Sequence, residues 1–271
     1  MKLHISLLFI QLIFLNQYEF VHSKALIGRN VRDAMTNEFP FVVAIKRFNN
    51  TNPNYPGDLL CTGTIISSQY VLTAAQRVLS VSVHNLEVIF GSNDIRSTQR
   101  LKVARLISFL MWAYTKHITV QESTNDICLL KLAGQIPNNI QPVIMSPMPY
   151  ANLYRHKVIT AGWGMTNVNY PQFLQTSSVV LLEPKKCKNQ IENLTQMPTD
   201  MHLHFLCTSS TPSVLLRDGD SGGPLLFAGE LIGINKESYP VSDDNFLPKT
   251  VNLHLKIDYY RHFIVDTINT L

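Results

Sequence analysis

A serine set among glycines is the feature of this 271-residue chain with the clearest chemical potential. It lies in the segment Gly219-Asp220-Ser221-Gly222-Gly223-Pro224-Leu225. A tight turn of this kind exposes the serine hydroxyl, and the backbone N–H groups of Gly219 and Ser221 can converge into an oxyanion hole. A hydroxyl attacks a carbonyl only if a base takes its proton, so this chemistry requires a base elsewhere in the chain. The alternative interpretation is a glycine-rich hairpin without chemistry.

The elements that would hold this turn are short apolar or β-branched segments separated by turn residues, a pattern that predicts an all-β barrel or sandwich. The segments are FPFVVAI at 39–45, TIISSQYVLTAA at 64–75, LEVIFG at 86–91, ICLLKLA at 127–133, KVITAGWG at 157–164, SSVVLLE at 177–183, PLLFAGELIGI at 224–234 and VNLHLKI at 251–257. One helix is predicted at the C-terminus, where apolar side chains recur at helical spacing from Tyr260 to Leu271. The Pro- and Asn-rich segment 135–147 is predicted to connect two halves of similar size.

Composition favours one globular unit, because 45% of the residues are hydrophobic and 15% are charged. The formal net charge of +4 is modest. The densest basic cluster, Lys185, Lys186 and Lys188, is predicted to lie in a loop and to be a solvated face, because no aromatic platform accompanies it. We therefore expect no nucleic-acid partner, and we expect neither a cofactor nor a metal site.

The N-terminus has the layout of a secretory signal peptide. Lys2 precedes an apolar run at residues 5–15, and Val21-His22-Ser23 offers small residues at a cleavage point. The run is shorter than the roughly 20 residues that span a bilayer. We therefore predict a signal peptide at 1–23 and a secreted, extracellular domain at 24–271 without a membrane anchor.

An oxidising compartment bears on the cysteines and on glycosylation. Four cysteines permit three pairings, none of which the residues alone decide: Cys61, Cys128, Cys187 and Cys207. At least one disulfide is expected. Asn49 and Asn193 begin N-x-S/T sequons and are candidate glycosylation sites.

The motifs together resemble the trypsin-like serine protease family along nearly the whole mature chain. The matching segments, besides the Ser221 turn, are Cys61–Ile66, Val71–Ala75, Asn125–Leu130, Gly162–Gly164 and Asp258–Ile264. The resemblance implies two packed six-stranded antiparallel β-barrels with a C-terminal α-helix. It also implies a catalytic His, Asp and Ser in that chain order, and the matching positions here are Gln76, Asp126 and Ser221.

The residue at the histidine position is the main departure from the family. A carboxamide neither accepts the serine proton nor returns it to a leaving amine, although Gln76 could donate a hydrogen bond to Asp126. In the family's triad logic, loss of the histidine lowers the rate by about 2 × 10⁶. His84 and His117 are predicted to be surface residues rather than substitutes. The sequence therefore predicts a catalytically inactive homologue.

The residues that match the substrate pocket also depart from the family. Leu215 stands at the pocket base, and Asn252 stands where the family usually has a wall glycine. The substrate-binding strand Ser-Trp-Gly is Lys236-Glu237-Ser238 here. Each change alone is compatible with altered specificity, but together with Gln76 they indicate that the cleft is not used for catalysis.

In the family a newly cleaved N-terminus pairs with the aspartate before the serine, here Asp220. This chain offers Ala25-Leu26-Ile27-Gly28-Arg29 in place of Ile-Val-Gly-Gly, and the sequence leaves open both cleavage after Lys24 and contact with Asp220.

The resemblance also implies how the cysteines pair. It implies a Cys187–Cys207 bridge, whereas Val158 and Phe227 occupy both ends of another family bridge. Arg217 and Arg77 each replace one cysteine of two further bridges. Cys61 and Cys128 are therefore either buried thiols, the favoured interpretation, or partners in a new bridge.

Two functions remain from different classes. The favoured hypothesis is a non-catalytic binding regulator, cofactor or decoy in an extracellular proteolytic cascade, with other secreted proteins (a protease, its substrate or an inhibitor) as partners. The alternative is a residual or unconventional serine hydrolase acting through Ser221. No residue supports an adhesive or lectin-like domain.

Overall fold

The structure is a computed structural model that describes residues 26, 28, 30–48, 58–97, 99–120, 124–166, 169–240 and 249–270. The predicted leader and Asn49 lie outside these residues. Of the thirteen strands in the described residues, twelve form two closed antiparallel barrels of six strands each, which confirms the predicted fold class.

The first barrel closes in the order β2-β3-β4-β7-β6-β5. Its strands are β2 (Val42–Arg47), β3 (Leu59–Ile65), β4 (Tyr70–Thr73), β5 (Leu86–Ile89), β6 (Arg100–Ser108) and β7 (Cys128–Leu132). Their inward side chains, mostly Val, Ile and Leu, fill the barrel because successive residues of a strand face opposite sides.

The strands of the second barrel are paired in the order β9-β10-β13-β12-β11-β8. The barrel closes because β8 also pairs with β9. Its strands are β8 (Lys157–Gly162), β9 (Gln175–Leu182), β10 (Phe205–Ser209), β11 (Pro224–Phe227), β12 (Glu230–Tyr239) and β13 (Val251–Lys256). The short strand β1 (Arg32–Asp33) adds to the outer side of β9. The segment 135–147 connects the two barrels, as predicted.

The helices correct two expectations. They are α1 (Ala75–Leu79), α2 (Phe109–Thr115), α3 (Pro184–Thr195) and α4 (Ile257–Thr270), with 3₁₀ turns at Val83–Asn85 and Tyr150–Asn152. The terminal helix is therefore not the only one. The three-lysine cluster lies on α3 rather than in a loop, because Pro184 occupies the first turn, where its missing N–H costs nothing.

Two predicted strands are each divided by a turn. Residues 64–75 contain the end of β3, all of β4 and the first residue of α1. Residues 224–234 form a hairpin, in which Ala228 and Gly229 adopt positive φ between β11 and β12. None of the helices in the described ranges is long and apolar enough to cross a membrane.

The terminal helix ties the two halves together. Ile257, Tyr260, Phe263 and Ile264 of α4 pack in one buried cluster with α2, with Leu72 and Leu129 of the first barrel and with Leu226 of the second. Burying this face holds the barrels in a fixed relation. The loops that carry positions 76, 126 and 221 therefore meet along the junction between the barrels.

Candidate functional site

Three chain segments bring the candidate catalytic positions to the barrel junction. Gln76 lies in α1 directly after β4, Asp126 lies two residues before β7, and Ser221 lies three residues before β11. The backbone N–H of Thr62 in β3 donates to the carbonyl of Ser221 at 3.1 Å, so the serine turn is fastened to the first barrel.

The hydroxyl of Ser221 does not face a base. It donates to the backbone carbonyl of Lys236 at 3.0 Å, and the residue is only 6% exposed. Within the described ranges, the N–H groups of Gly219 and Ser221 have no hydrogen-bond acceptor, so both remain available as oxyanion donors. Thr62 donates from Oγ1 to the Gly219 carbonyl at 2.7 Å, which fixes the orientation of this peptide.

Asp126 is held by the backbone around position 76, not by the Gln76 carboxamide. Its Oδ1 accepts from the backbone N–H of Gln76 at 2.6 Å. Burial raises the pKa of the Asp126 carboxyl, and the Gln76 N–H and the charge of Lys236 act against this rise. The side chain of Gln76 is exposed and has no hydrogen bond to any described residue. The side-chain hydrogen bond to Asp126 that the sequence allowed is not formed; the Gln76 backbone makes the contact instead.

Among the residues that the structure describes, no other side chain takes the place of the missing base. His84 and His117 are both exposed, as predicted for surface residues. The ammonium of Lys236 pairs with Glu237 at 2.6 Å and cannot accept a proton in that state. Glu237 also accepts from the Tyr239 hydroxyl at 3.1 Å.

The predicted pocket positions form a closed, hydrogen-bonded wall. Ser238 Oγ accepts from the Leu216 N–H at 2.7 Å and donates to Asn252 Oδ1 at 2.6 Å. The amide nitrogen of Asn252 donates to the Val214 carbonyl at 2.9 Å. Asn252 is fully buried and Leu215 nearly so. The Asn252 side chain is thus held in place by hydrogen bonds at both ends of its amide.

Asp220 is completely buried at the base of the serine turn. Its carboxylate accepts from the N–H groups of Gly164 at 2.8 Å and Arg217 at 2.9 Å, and from the N–H of Leu26. Burial raises the pKa of Asp220 to about 7 against these three donors. The chain at Leu26 therefore reaches Asp220, a contact that the sequence left open.

An ion pair that the sequence did not predict borders the site. Arg77 and Asp218 approach to 2.5 Å and link α1 to the serine turn. With Leu59, Leu60, Gln76, Ser80 and Tyr170, they line a cavity of about 330 Å³. The sequence marks Arg77 only as a residue at a position where the family has a cysteine. Nothing in the local sequence indicates a partner 141 residues away.

The cysteines and Asn193 are the remaining candidate residues that the structure describes. Cys187 and Cys207 form the expected disulfide between α3 and β10. Cys61 and Cys128 are free and buried, which agrees with the favoured interpretation, and burial raises the pKa of the Cys61 thiol to about 12. Asn193 is exposed near the end of α3. Its glycosylation stays a prediction, as does that of Asn49.

Comparisons with known proteins agree on the fold and the family. A family model described as Trypsin matches residues 29–264. Among solved structures, neuropsin, a serine protease expressed in the limbic system of mouse brain, superposes with a TM-score of 0.66 at 24% identity and covers 88% of this chain and 98% of that one. The VesB protease of Vibrio cholerae gives a TM-score of 0.67 at 21% identity, covering 92% and 69%. At these identities the two structures support the fold alone.

Similar sequences carry protease names, and one of these names describes its protein as inactive. Serine protease SP24D of Anopheles gambiae is 27% identical over 225 residues, which span 79% of this chain and 72% of that protein. Trypsin II-P29 of Gallus gallus is 31% identical over 182 residues, spanning 64% and 67%. The inactive CLIP domain-containing serine protease A28 of Anopheles gambiae is 27% identical over 197 residues, spanning 69% of this chain and 50% of that protein.

Proposed function

Because the chain belongs to the trypsin family of serine proteases, a membership shown by the match over residues 29–264, we propose that it is a non-catalytic member whose role is to bind other proteins. In this proposal it is secreted and acts as a regulator, cofactor or decoy in an extracellular proteolytic cascade. Its partners are other secreted proteins: a protease, a protease substrate or an inhibitor.

The observation that carries the proposal is the environment of the Ser221 hydroxyl. Its proton is directed at the Lys236 carbonyl, and position 76, where a base would stand, holds an exposed carboxamide. Asp126 is in place but would orient a base that is missing. Without a group that takes up the proton, nucleophilic attack loses about 8–9 kcal/mol of stabilisation.

The filled pocket supports the same conclusion independently. A substrate side chain would have to displace the Asn252 amide from its hydrogen bonds to Ser238 and the Val214 carbonyl. Leaving such buried polar groups unpaired costs about 1–3 kcal/mol for each group. The cleft therefore opposes both the chemical step and the binding of a substrate.

The proposal is tested by incubating the purified protein with a proteome-derived peptide library and reading new termini by mass spectrometry. We expect no more cleavage than with a Ser221→Ala variant prepared in parallel. Cleavage at a defined sequence that disappears in Ser221→Ala would contradict the proposal.

A residual serine hydrolase remains the second candidate, favoured by a specific observation. The N–H groups of Gly219 and Ser221 have no acceptor among the described residues, and Asp126 is retained. An oxyanion hole and binding alone can leave about 10³–10⁴-fold catalysis over water. This candidate predicts slow ester hydrolysis that falls in Ser221→Ala. The favoured function predicts equal rates for both proteins.

A further inference from the structure

A second and larger cavity lies away from the serine turn. It has a volume of about 600 Å³ and lies between α2, α4 and the segment 200–204 that precedes β10. None of the residues that line it also lines the smaller cavity beside Gln76. It is a separate site on the molecule.

Aromatic rings form its walls. Phe109 and Trp112 of α2 lie 5.6 Å apart at their ring centroids, and His262 of α4 meets Trp112 edge-on at 5.2 Å. On the other side His202 stacks on His204 with an angle of 15° between the ring planes. Such faces and edges suit a flat ring, which gains most from offset-stacked or edge-on contacts.

Two buried polar atoms of this wall have no hydrogen-bond partner in the part of the chain that the structure describes: Nε2 of His204 and Oγ1 of Thr124. His204 is only 5% exposed. The ring also hydrogen-bonds the backbone carbonyl of Thr124, so the other nitrogen carries the proton and Nε2 presents a lone pair. Burial lowers the pKa of His204 to about 4, with a further lowering from His202, so the ring is neutral at physiological pH.

Large apolar side chains lie at the entrance. Leu203 is 85% exposed, and Tyr259 and Ile118 are also exposed large apolar side chains on the rim. Exposed apolar side chains grouped around a concave site are typical of binding surfaces. These apolar side chains alternate with polar ones at the rim, such as Thr119 and Asp200, so the site offers both ring contacts and polar contacts.

The charges near the site are paired or exposed to solvent: Lys236, whose charge also acts on His204, pairs with Glu237 at 2.6 Å. Asp266, which contacts Trp112 through the indole N–H at 2.7 Å, is neutralised by Lys116 at 2.8 Å. Asp200 is the one carboxylate among the described residues that line the cavity. Its side chain is exposed to solvent. The unpartnered His204 nitrogen is a neutral acceptor, and the Thr124 hydroxyl can accept as well as donate, so a neutral donor suits both.

We propose that this cavity is a docking site for an aromatic side chain that carries an N–H or O–H donor, a tryptophan or a tyrosine presented by a protein partner. The ring packs between the α2 and α4 aromatics and the stacked imidazoles, and its donor hydrogen-bonds His204 Nε2. This site does not depend on whether Ser221 is catalytic, so the two proposals fail separately.

The test uses two probes that differ by one donor: N-acetyl-tryptophanamide and its analogue methylated on the indole nitrogen. Titrations followed by saturation-transfer NMR should show that the N–H probe binds about tenfold more tightly, the ratio expected for one buried hydrogen bond. His204→Phe keeps a ring in the wall and removes the acceptor, so it should bring this ratio to about one. Ser221→Ala should bind both probes like the unaltered protein.

A second variant keeps the test decisive if His204→Phe does not fold. Tyr259→Ser removes an exposed wall residue and should weaken both probes several-fold. The control Phe173→Ser removes an exposed ring elsewhere and should change neither. Equal affinity of the two probes for the unaltered protein, binding of neither, or tighter binding of a lysine or arginine amide would each overturn the proposal.

Discussion

The serine turn and the pocket beside it, though adjacent, differ in what they retain. The turn keeps all seven residues of its motif, and packing requires its glycines. A Cβ at Gly222 would lie 2.2 Å from Thr73 Oγ1 and 2.4 Å from the Thr62 carbonyl, and the residue has a φ of +82°. At the predicted pocket positions, where the sequence differs from the family pattern, Ser238 and Asn252 are joined by a hydrogen bond and are tied to Leu216 and Val214.

The difference indicates what each region does for the molecule. The turn joins the two barrels, so its residues are necessary for folding whether or not the serine reacts. The pocket residues do not join the two barrels in this way, and other side chains can fill the same volume. The glycine–serine motif is therefore a signal of the fold, and activity has to be judged from the base and the pocket.

The largest expected effect comes from breaking the turn. Gly222→Ala should destabilise the protein by at least about 4 kcal/mol, because strain at positive φ adds to a steric clash with backbone. Gly229→Ala is the matched control: it has a φ of +83° with nothing within 4 Å of the added atom, and should cost only about 1 kcal/mol. Urea unfolding measures both, and similar losses would show that packing does not explain the motif.

The next effect concerns the polar network beneath the turn. His254 hydrogen-bonds Asn235 Oδ1 at 3.0 Å and Thr208 Oγ1 at 2.8 Å, and the N–H of Gly222 donates to the Asn235 carbonyl at 2.8 Å. Burial lowers the pKa of His254 from 6.5 to about 3. The unfolded chain therefore binds a proton in this range that the folded chain does not, so stability falls as the pH drops from about 6.5 towards 3, by up to about 4 kcal/mol.

Asp220 acts in the opposite direction. Its pKa rises to about 7 on folding, so its contribution to stability is present at low pH and is lost as the pH rises from about 4 to 7. The effect of His254 is isolated by comparing urea unfolding across this range with that of His254→Gln, which should have a flatter acid limb. Parallel curves for the two proteins would contradict the assignment.

A smaller effect is expected in the pocket. Asn252→Gly should lower the free energy of unfolding by about 2 kcal/mol, since two hydrogen bonds are lost; Ser238 keeps those to Leu216, and the Val214 carbonyl keeps only that from Thr250. Gln76→His alone should not produce peptide hydrolysis, because the Asn252 side chain still fills the predicted pocket. The double variant Gln76→His/Asn252→Gly should hydrolyse peptides faster than the Ser221→Ala protein. Hydrolysis by Gln76→His alone would show that the wall opens without mutation.

The smallest effect is at the serine itself. Ser221→Ala removes one hydrogen bond to the Lys236 carbonyl and should change stability by no more than about 1 kcal/mol. Binding of a captured protein partner should be unchanged. A large loss of partner affinity would mean that the serine turn takes part in binding.

Local patterns predicted an all-β fold with a terminal helix, because β-branched segments and a terminal apolar face are local signals, and the resemblance to the trypsin-like family supplied the two six-stranded barrels. It did not predict β6 (Arg100–Ser108), whose charged outward residues mask its apolar ones. Helix α3 was missed as well, although Glu183 followed by Pro184 is a recognisable helix start. Both errors arose where polar composition outweighed periodicity.

At the site, the sequence placed the residues but not their contacts. Gln76 and Asn252 were assigned to the base and pocket positions, yet the partners of Asn252 lie 14 and 38 residues away along the chain. The Arg77–Asp218 pair and the unpartnered His204 nitrogen depend on the same kind of distant approach. Such contacts follow from how the barrels close, which no local pattern records.

The most direct test of the central claim is labelling of the purified protein with a fluorophosphonate, which reacts only with an activated serine. The unaltered protein is compared with Ser221→Ala at equal concentration. We expect labelling no stronger than that of Ser221→Ala. Labelling that depends on Ser221 would mean that some other group activates the hydroxyl, and the assignment of this chain as non-catalytic would be wrong.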